Sequence, residues 1–267
     1  TPQNKRLLDR YEVCQKLGEG GSALVYRAQD TWLGNHPVVL KLQRDTPDDL
    51  SSHLQREYAL LIRLRHPHIV GVHELVHLPT AHGVAGVPPK GLCLIEEVVE
   101  GIPLDDWAEG RAIGDVAAVG AQIAGALAAL HALGIRHGDL KPDNILVHEG
   151  PNGPHATLID FGLSSRSTAG NTGGTPRFMA PEALQGKGRA TSDIYGLAST
   201  LAHVLGAPPP TSLGAAVQSP FCTRTLEAMG HQDPNRRPSA AQAFSLLAED
   251  ASPGCAAWLE SLQDTTV

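Results

Sequence analysis

The sequence predicts an α+β protein built in two lobes, and three observations carry that prediction. Short alternating apolar runs bounded by Gly, Asn or Pro fill the first ninety residues or so. Long Ala/Leu-rich segments with helical spacing dominate from about Leu104 onward. A chain of 267 residues with 42% hydrophobic side chains can build a sizeable core without disulfide or metal staples. Strands gathered at one end and helices at the other mark the α+β class. The change of character falls at residues 100–103 and sets the expected boundary.

The elements follow in order. Residues 1–10 form an N-terminal extension, and residues 11–17, 24–28 and 38–42 read as strands. Residues 48–65 place Leu50, Leu54, Leu61 and Leu64 at the spacing of an amphipathic helix. Two more strands are expected near 69–76 and 92–98, linked by an exposed Gly-, Pro- and His-rich loop over 77–90. Past the boundary, residues 113–133, 192–205, 221–229 and 240–248 read as helices. Two β-like runs, 145–148 and 156–159, interrupt them and are joined by a Gly/Pro-rich turn over 150–154.

Composition narrows the function classes. A net charge of −7 argues against nucleic acid or an anionic membrane as the main partner, because both select basic surfaces. Cys14, Cys93, Cys222 and Cys255 are scattered without a CxxC pair, so a metal or disulfide framework is not expected and a reducing cytoplasm is. No basic segment followed by an apolar run opens the chain, so no signal peptide is expected. The most apolar stretch, 116–134, contains Gln122 and His131 and reads as a buried helix rather than a membrane span. The first residue is Thr1, which fits a piece of a longer parent chain with additional domains.

Three clusters carry candidate chemistry. The first is Gly18-Glu19-Gly20-Gly21-Ser22-Ala23-Leu24-Val25-Tyr26 between strand-like runs. Glycines let a backbone approach phosphates and offer them N–H groups, and equally they supply the positive φ of an ordinary hairpin turn. The second is Lys41, closing Val38-Val39-Leu40-Lys41. It is either a solvated edge residue or an inward ammonium that needs an anionic partner, for which Glu57 is the natural candidate. The third is His137-Gly138-Asp139-Leu140-Lys141-Pro142-Asp143-Asn144, followed by Asp160-Phe161-Gly162. Carboxylate and carboxamide oxygens suit Mg²⁺ bound together with substrate phosphates. A spare Asp can orient a hydroxyl nucleophile, and a Lys can neutralise phosphoryl charge. Taken singly, each is also an ordinary polar turn residue; their order along the chain is not explained that way.

The ordered set resembles the eukaryotic-type (Hanks) protein kinase family, whose other signatures are matched by Ala180-Pro181-Glu182, Ser192-Asp193-Ile194-Tyr195-Gly196 and Asp233-Pro234-Asn235-Arg236-Arg237-Pro238. The match runs over about residues 11–248. The resemblance implies a bilobal kinase-like domain over 11–267. Its β-rich N-lobe with one helix would cover about 11–99 and its hinge about 97–103. A helical C-lobe would follow over about 104–250, with a tail over 251–267. It implies transfer of the γ-phosphoryl group of ATP to a protein hydroxyl.

By that resemblance Gly18, Gly20 and Val25 would cover the phosphates, and Lys41, paired to Glu57, would hold them. Val25, Val39 and Leu146 would sandwich adenine, with backbone of Glu97 and Val99 at its edge. Asp139 would orient the acceptor hydroxyl, Lys141 would steady the γ-phosphate, and Thr175 would hydrogen-bond near both. Asn144 and Asp160 would hold Mg²⁺, for which Mn²⁺ can substitute. Leu61, His137 and Phe161 would stack, anchored by Asp193, and Glu182 would pair with Arg237. Lys141 and Gly174-Thr175-Pro176 resemble serine/threonine rather than tyrosine kinases. The implied partners are ATP and a protein with a Ser/Thr acceptor, in the cytoplasm.

Departures from the pattern matter as much. Ala23 stands where a third glycine is usual and should stiffen the loop. Gly138 replaces the Arg that in many relatives pairs with an activation-loop phosphate, so activity independent of that phosphate is expected. The segment after Leu205 is short where a substrate-docking helix is usual. Glu96 occupies the position at the back of the adenine site, where an apolar residue or Thr is usual. Small-molecule phosphotransferases of the aminoglycoside or choline kinase type share His-Gly-Asp but lack the Leu-Lys-Pro and Ala-Pro-Glu segments. A nucleotide-binding pseudokinase would have lost Lys41, Asp139, Asn144 or Asp160, and all four are present.

Overall fold

The computed structural model describes residues 6–19, 23–43, 58, 59, 61–78, 91–151, 153–160, 175–209 and 221–251. Contacts divide the chain into two compact units, Thr1–Arg65 with Val70–Val99 and His66–Ile69 with Glu100–Val267.

In the first unit the β-rich runs become strands β1 (Tyr11–Glu19), β2 (Ala23–Asp30), β3 (His36–Gln43), β4 (Val72–Leu78) and β5 (Gly91–Glu97). They form one antiparallel sheet in the order β1-β2-β3-β5-β4. Side chains alternate across a pleated sheet, so each strand sends one set to each face. Leu24, Tyr26, Ala28, Val38, Leu40, Leu42, Cys93 and Ile95 share a core with Leu7, Tyr11 and Leu78. On the other face the register sets Val25 opposite Lys41, Lys41 opposite Leu94, and Val39 opposite Glu96. A charged clamp closes the sheet's end. Arg10 donates to both carboxylate oxygens of Asp30 at 2.9 and 2.6 Å and to Glu74 at 2.6 Å, and Glu74 also accepts from the Tyr11 hydroxyl. The Arg10 bonds hold the Asp30 carboxyl below its ordinary pKa against the opposing pull of burial.

Most of the expected 48–65 helix lies outside the described residues. Of its described part, Tyr58, Ala59 and Leu61 are helical, with Tyr58 and Leu61 buried, while residues 62–65 are turn and coil, so the helix does not run on to residue 65. The strand expected from residue 69 starts instead at Val72. Ile69 bridges to Leu158 in the second unit, and Leu158 N–H donates to His68 O at 3.0 Å. Residues 79–90 of the expected loop lie outside the described residues, as do 210–220 after Leu205.

The second unit is built on helices. We label them α1 (Leu104–Ala108), α2 (Ile113–Ala132), α3 (Pro181–Leu184), α4 (Ala190–Val204), α5 (Glu227–Met229) and α6 (Ala240–Glu249). A small sheet of β6 (Ile102–Pro103), β7 (Ile145–Gly150) and β8 (Gly153–Leu158) lies among them. Helix α2 packs on α6, α4 and β8 and is mostly buried within its unit, although it is long and apolar enough to cross a membrane. Gln122 does not break its apolar face but stitches it to the hairpin: Nε2 donates to Pro154 O and Oε1 accepts from Ala156 N–H, both at 2.7 Å. Gly120 lets α4 come close, since a Cβ there would sit 2.8 Å from a Leu201 methyl. At Gly101, with φ +134°, a Cβ would sit 2.8 Å from Val147 O, so only glycine carries the chain into the β6–β7 pairing.

Candidate active site

The loop that carries Asp139 is held by one carboxylate. Asp193, on the first turn of α4, accepts from the N–H groups of His137 at 3.0 Å and Gly138 at 2.9 Å, and its Oδ2 lies 2.8 Å from His131 Nε2. This saturates a buried charge, which is the condition for burying one at all. Gly138 sits at φ +80°, where a Cβ is disfavoured. His137 Nε2 lies 3.1 Å from Ile159 O, and Ile159 N–H donates to Asn144 O at 2.9 Å. Those two bonds place Asp160 beside the loop, in the left-handed region at φ +57°. Such a conformation is uncommon for a residue with a side chain and clusters at functional sites.

Asp139 is the hub of the cluster. Its Oδ1 accepts from Thr175 N–H at 3.0 Å, its backbone oxygen accepts from Asn144 Nδ2 at 2.7 Å, and its Oδ2 lies 3.3 Å from that same nitrogen. Lys141 Nζ stands 3.5 Å from Oδ2. Thr175 therefore meets Asp139 through its amide. Asn144 is buried with its amide nitrogen committed to Asp139, which leaves its side-chain oxygen as a hard donor. Two oxygens of the Asn144 and Asp160 type fit a divalent cation that keeps phosphate among its ligands.

The first unit supplies the remaining expected residues on one sheet face. Val25 and Val39 are half-buried, and Lys41 between them is buried. Glu96, diagonal to Lys41, is buried too, and its Oε1 has no hydrogen-bond partner among the described residues. Burial pushes its carboxyl pKa up, opposed by Lys41 and reinforced by Glu97. Glu97 is tied down by two bonds: its Oε1 accepts from Gly71 N–H at 2.7 Å and its own N–H donates to Gly71 O at 2.9 Å. Its N–H is thus spent within the unit. Gly18 pairs with Val25 in the β1–β2 ladder, Val99 lies at the end of the first unit, and Leu146 is half-buried on β7 of the second. Gly20, Glu57 and Phe161 lie outside the described residues.

Glu182 and Arg237 meet as expected and more fully than expected. The guanidinium spans both carboxylate oxygens at 2.6 and 3.0 Å, and Ser192 Oγ adds a donor at 2.6 Å. Tyr195 lies under the guanidinium, 4.9 Å from ring centre to Cζ. Burial acts to raise the Glu182 pKa, but the Arg237 and Ser192 bonds outweigh it and hold the carboxyl below its usual range. Sequence reading missed His131 as a ligand of Asp193 and Ser192 as a ligand of Glu182. The one available signal was a polar side chain at helical spacing inside an otherwise apolar helix.

The profile of the protein kinase domain family matches residues 11–246. The chain is 35% identical over 222 residues to the serine/threonine-protein kinase PkaB of Streptomyces coelicolor, covering 75% of this chain and 49% of that protein. It is 39% identical over 215 residues to the DNA damage-responsive serine/threonine-protein kinase RqkA of Deinococcus radiodurans, covering 76% of this chain and 31% of that protein. The chain thus spans half or less of the length of these curated relatives. The crystal structure of the Mycobacterium tuberculosis PknI kinase domain shares the fold, with a TM-score of 0.70 at 24% identity over 94% of this chain and 100% of that one. With the Asp139 cluster in place on that fold, the chain belongs to the protein kinase domain family, as a serine/threonine kinase domain of the bacterial Hanks type.

Proposed function

We propose that this domain transfers the γ-phosphoryl group of ATP to a serine or threonine hydroxyl of a protein substrate, with Asp139 orienting the acceptor. The observation that carries the reading is the setting of Asp139. One carboxylate oxygen is fixed by Thr175 N–H, while the other faces the side chains of Asn144 and Lys141. A carboxylate so held can accept a hydroxyl proton in a defined direction, which is what in-line phosphoryl transfer asks of the protein. Lys141, with its ammonium beside that oxygen, would neutralise charge that grows on the moving phosphoryl group.

Asn144 and Asp160 would hold Mg²⁺, or Mn²⁺ in its place; the bound cation offsets phosphate charge. Lys41, paired with Glu57, would hold the α- and β-phosphates under the Gly18 and Gly20 loop. Val25, Val39 and Leu146 would enclose adenine, with the carbonyl of Glu97 and the backbone of Val99 at its edge. A cytoplasmic setting fits the free thiols of Cys14 and Cys93, and ATP is abundant there.

The test is mass spectrometry of the wild type and Asp139→Asn after incubation with Mg-ATP, a generic protein acceptor and a panel of small alcohols. The wild type is expected to phosphorylate serine and threonine. Asp139→Asn is expected to lose about 10²–10⁴-fold in rate while keeping its melting temperature and its thermal shift with ATP. Equal transfer by the variant, or transfer to small alcohols alone, overturns the reading.

A further inference from the structure

Glu96 stands where a sheet ordinarily buries an apolar side chain. Its cross-strand partner is Val39, and it shares a face with Val25, Lys41 and Leu94. It is 6% exposed, and Oε1 finds no hydrogen-bond partner among the described residues. A buried carboxyl left in that state costs stability, and an apolar residue of the same size would avoid the cost. A residue kept under such a penalty beside a specific opposite charge is a functional candidate.

The opposite charge is Lys41, 7% exposed and diagonal to Glu96 across the β3–β5 pairing. Diagonal neighbours on one face lie within reach of long side chains. Burial pushes Glu96 toward its neutral form, and Lys41 pulls it back toward its charged one. The other nearby carboxylate, Glu97, is spent on Gly71 N–H.

We propose that Glu96 is a positioning residue for Lys41: a second carboxylate, built into the sheet itself, that holds the ammonium on the face it shares with Val25 and Val39. Its catalytic consequence rests on the kinase reading above. On the kinase reading Lys41 would then answer to two anions, Glu57 and, on its own sheet, Glu96. Loss of either would leave the other, so placement of the lysine would depend less on Glu57 than a single ion pair would require.

Two measurements test this on the full chain. The first needs no turnover. Amines of the nucleotide-free protein are acetylated with acetic anhydride at about pH 8, where a lysine reacts through its neutral form. Removing a neighbouring anion lowers a lysine's pKa. The rate at Lys41 relative to Lys16 and Lys187, read by mass spectrometry, is therefore expected to rise about threefold or more in Glu96→Gln. An unchanged ratio overturns the proposal. The second compares wild type, Glu96→Gln, Glu57→Gln and the double variant.

Glu96→Gln is expected to raise KM for ATP about fivefold to tenfold with kcat within about twofold, and Glu96→Asp to stay nearer the wild type. The double variant is expected to lose about tenfold more in kcat/KM than the product of the single losses, because each carboxylate covers for the other. Multiplicative losses, or an unchanged KM in Glu96→Gln, overturn it. Glu96→Leu, which removes the buried charge, serves as the folding control and is expected to melt no lower than the wild type. If the wild type neither binds ATP nor transfers phosphate while the acetylation ratio still shifts, the proposed function fails and the Lys41–Glu96 pairing stands.

Discussion

Glu182, half-buried, and Glu96, buried, are packed carboxyls, one in each compact unit, and the protein treats them in opposite ways. Glu182 receives two guanidinium bonds and a serine hydroxyl, and its pKa is held down. Glu96 receives no bond on Oε1, and its pKa is pushed up. Asp193 follows Glu182, with two backbone N–H groups and His131 on its oxygens. The difference separates two jobs. A carboxylate whose oxygens are saturated locks one piece of chain against another, whereas one left open has its attraction still to spend.

The largest expected effect tests the saturated member. Arg237→Met leaves the half-buried Glu182 carboxylate without its guanidinium and should cost about 1–3 kcal/mol at pH near 7, seen as a lower urea midpoint. Because the Glu182 pKa is depressed in the folded protein, the pair's contribution is complete above the ordinary value of 4.5 and fades as pH falls through the lower folded value. The gap between wild type and Arg237→Met should therefore narrow on acidification below 4.5. A gap that stays constant down to strongly acid pH would show that Glu182 carries no such role.

The open member should respond with the opposite sign. Glu96→Leu is expected to stabilise the fold by on the order of 1 kcal/mol, by removing an acceptor that burial leaves unmet. A raised pKa means that, between 4.5 and the higher folded value, the folded protein holds a proton the unfolded chain has released. The penalty in the wild type thus grows as pH rises above 4.5, and the gain from Glu96→Leu should be larger at about pH 8 than at about pH 5. A loss of stability in Glu96→Leu would place Glu96 with Glu182 and erase the contrast.

Histidines give the same comparison a third point. His68 is buried, stacks 4.7 Å from His155, and has its pKa lowered to about 3, chiefly by burial. His66 and His155 are shifted the same way and for the same main reason. The unfolded chain takes up these protons near 6.5 and the folded one does not, so stability should fall as pH drops below 6.5. His68→Asn should flatten that slope in urea titrations between about pH 7 and 5. An identical slope in the variant would show that the His68 ring is not held neutral.

Much of this was legible in the sequence, and the rest was hidden for identifiable reasons. The strands of the first sheet were expected within a few residues, because period-two alternation reports a half-buried face directly. The Asp139 cluster was legible as a string, since its members are crowded into one loop. Strand β6 was not, because two residues become a strand only through pairing with β7 more than forty positions later. Ile69 reads as the start of the 69–76 strand, yet it bridges to Leu158 of β8, whose N–H donates to the neighbouring His68 carbonyl. Residues 221–226, expected as ordinary helix, form a π-helical turn instead, which no apolar spacing encodes. His131 looked like a polar interruption in an apolar helix, and its partner Asp193 lies sixty-two positions away.

The smallest effect is a predicted absence of one, at the position where an open cation is missing. In many kinases of this type an arginine before the catalytic Asp waits for a phosphate on the activation loop. Here that position is Gly138, which offers only its N–H, and the N–H is already given to Asp193. Its φ of +80° is met by glycine at no steric cost, so the loop keeps its shape without any side chain there. The Asp139 geometry is fixed instead by Thr175, Asn144 and the Asp193 anchor, all bonds internal to the unit. With no side chain at that position to be neutralised, phosphate on the loop has no counter-charge there to recruit. A phosphatase-treated sample should therefore start at a rate within about twofold of the untreated one, and a tenfold drop would mean that a cation elsewhere has taken over the arginine's part.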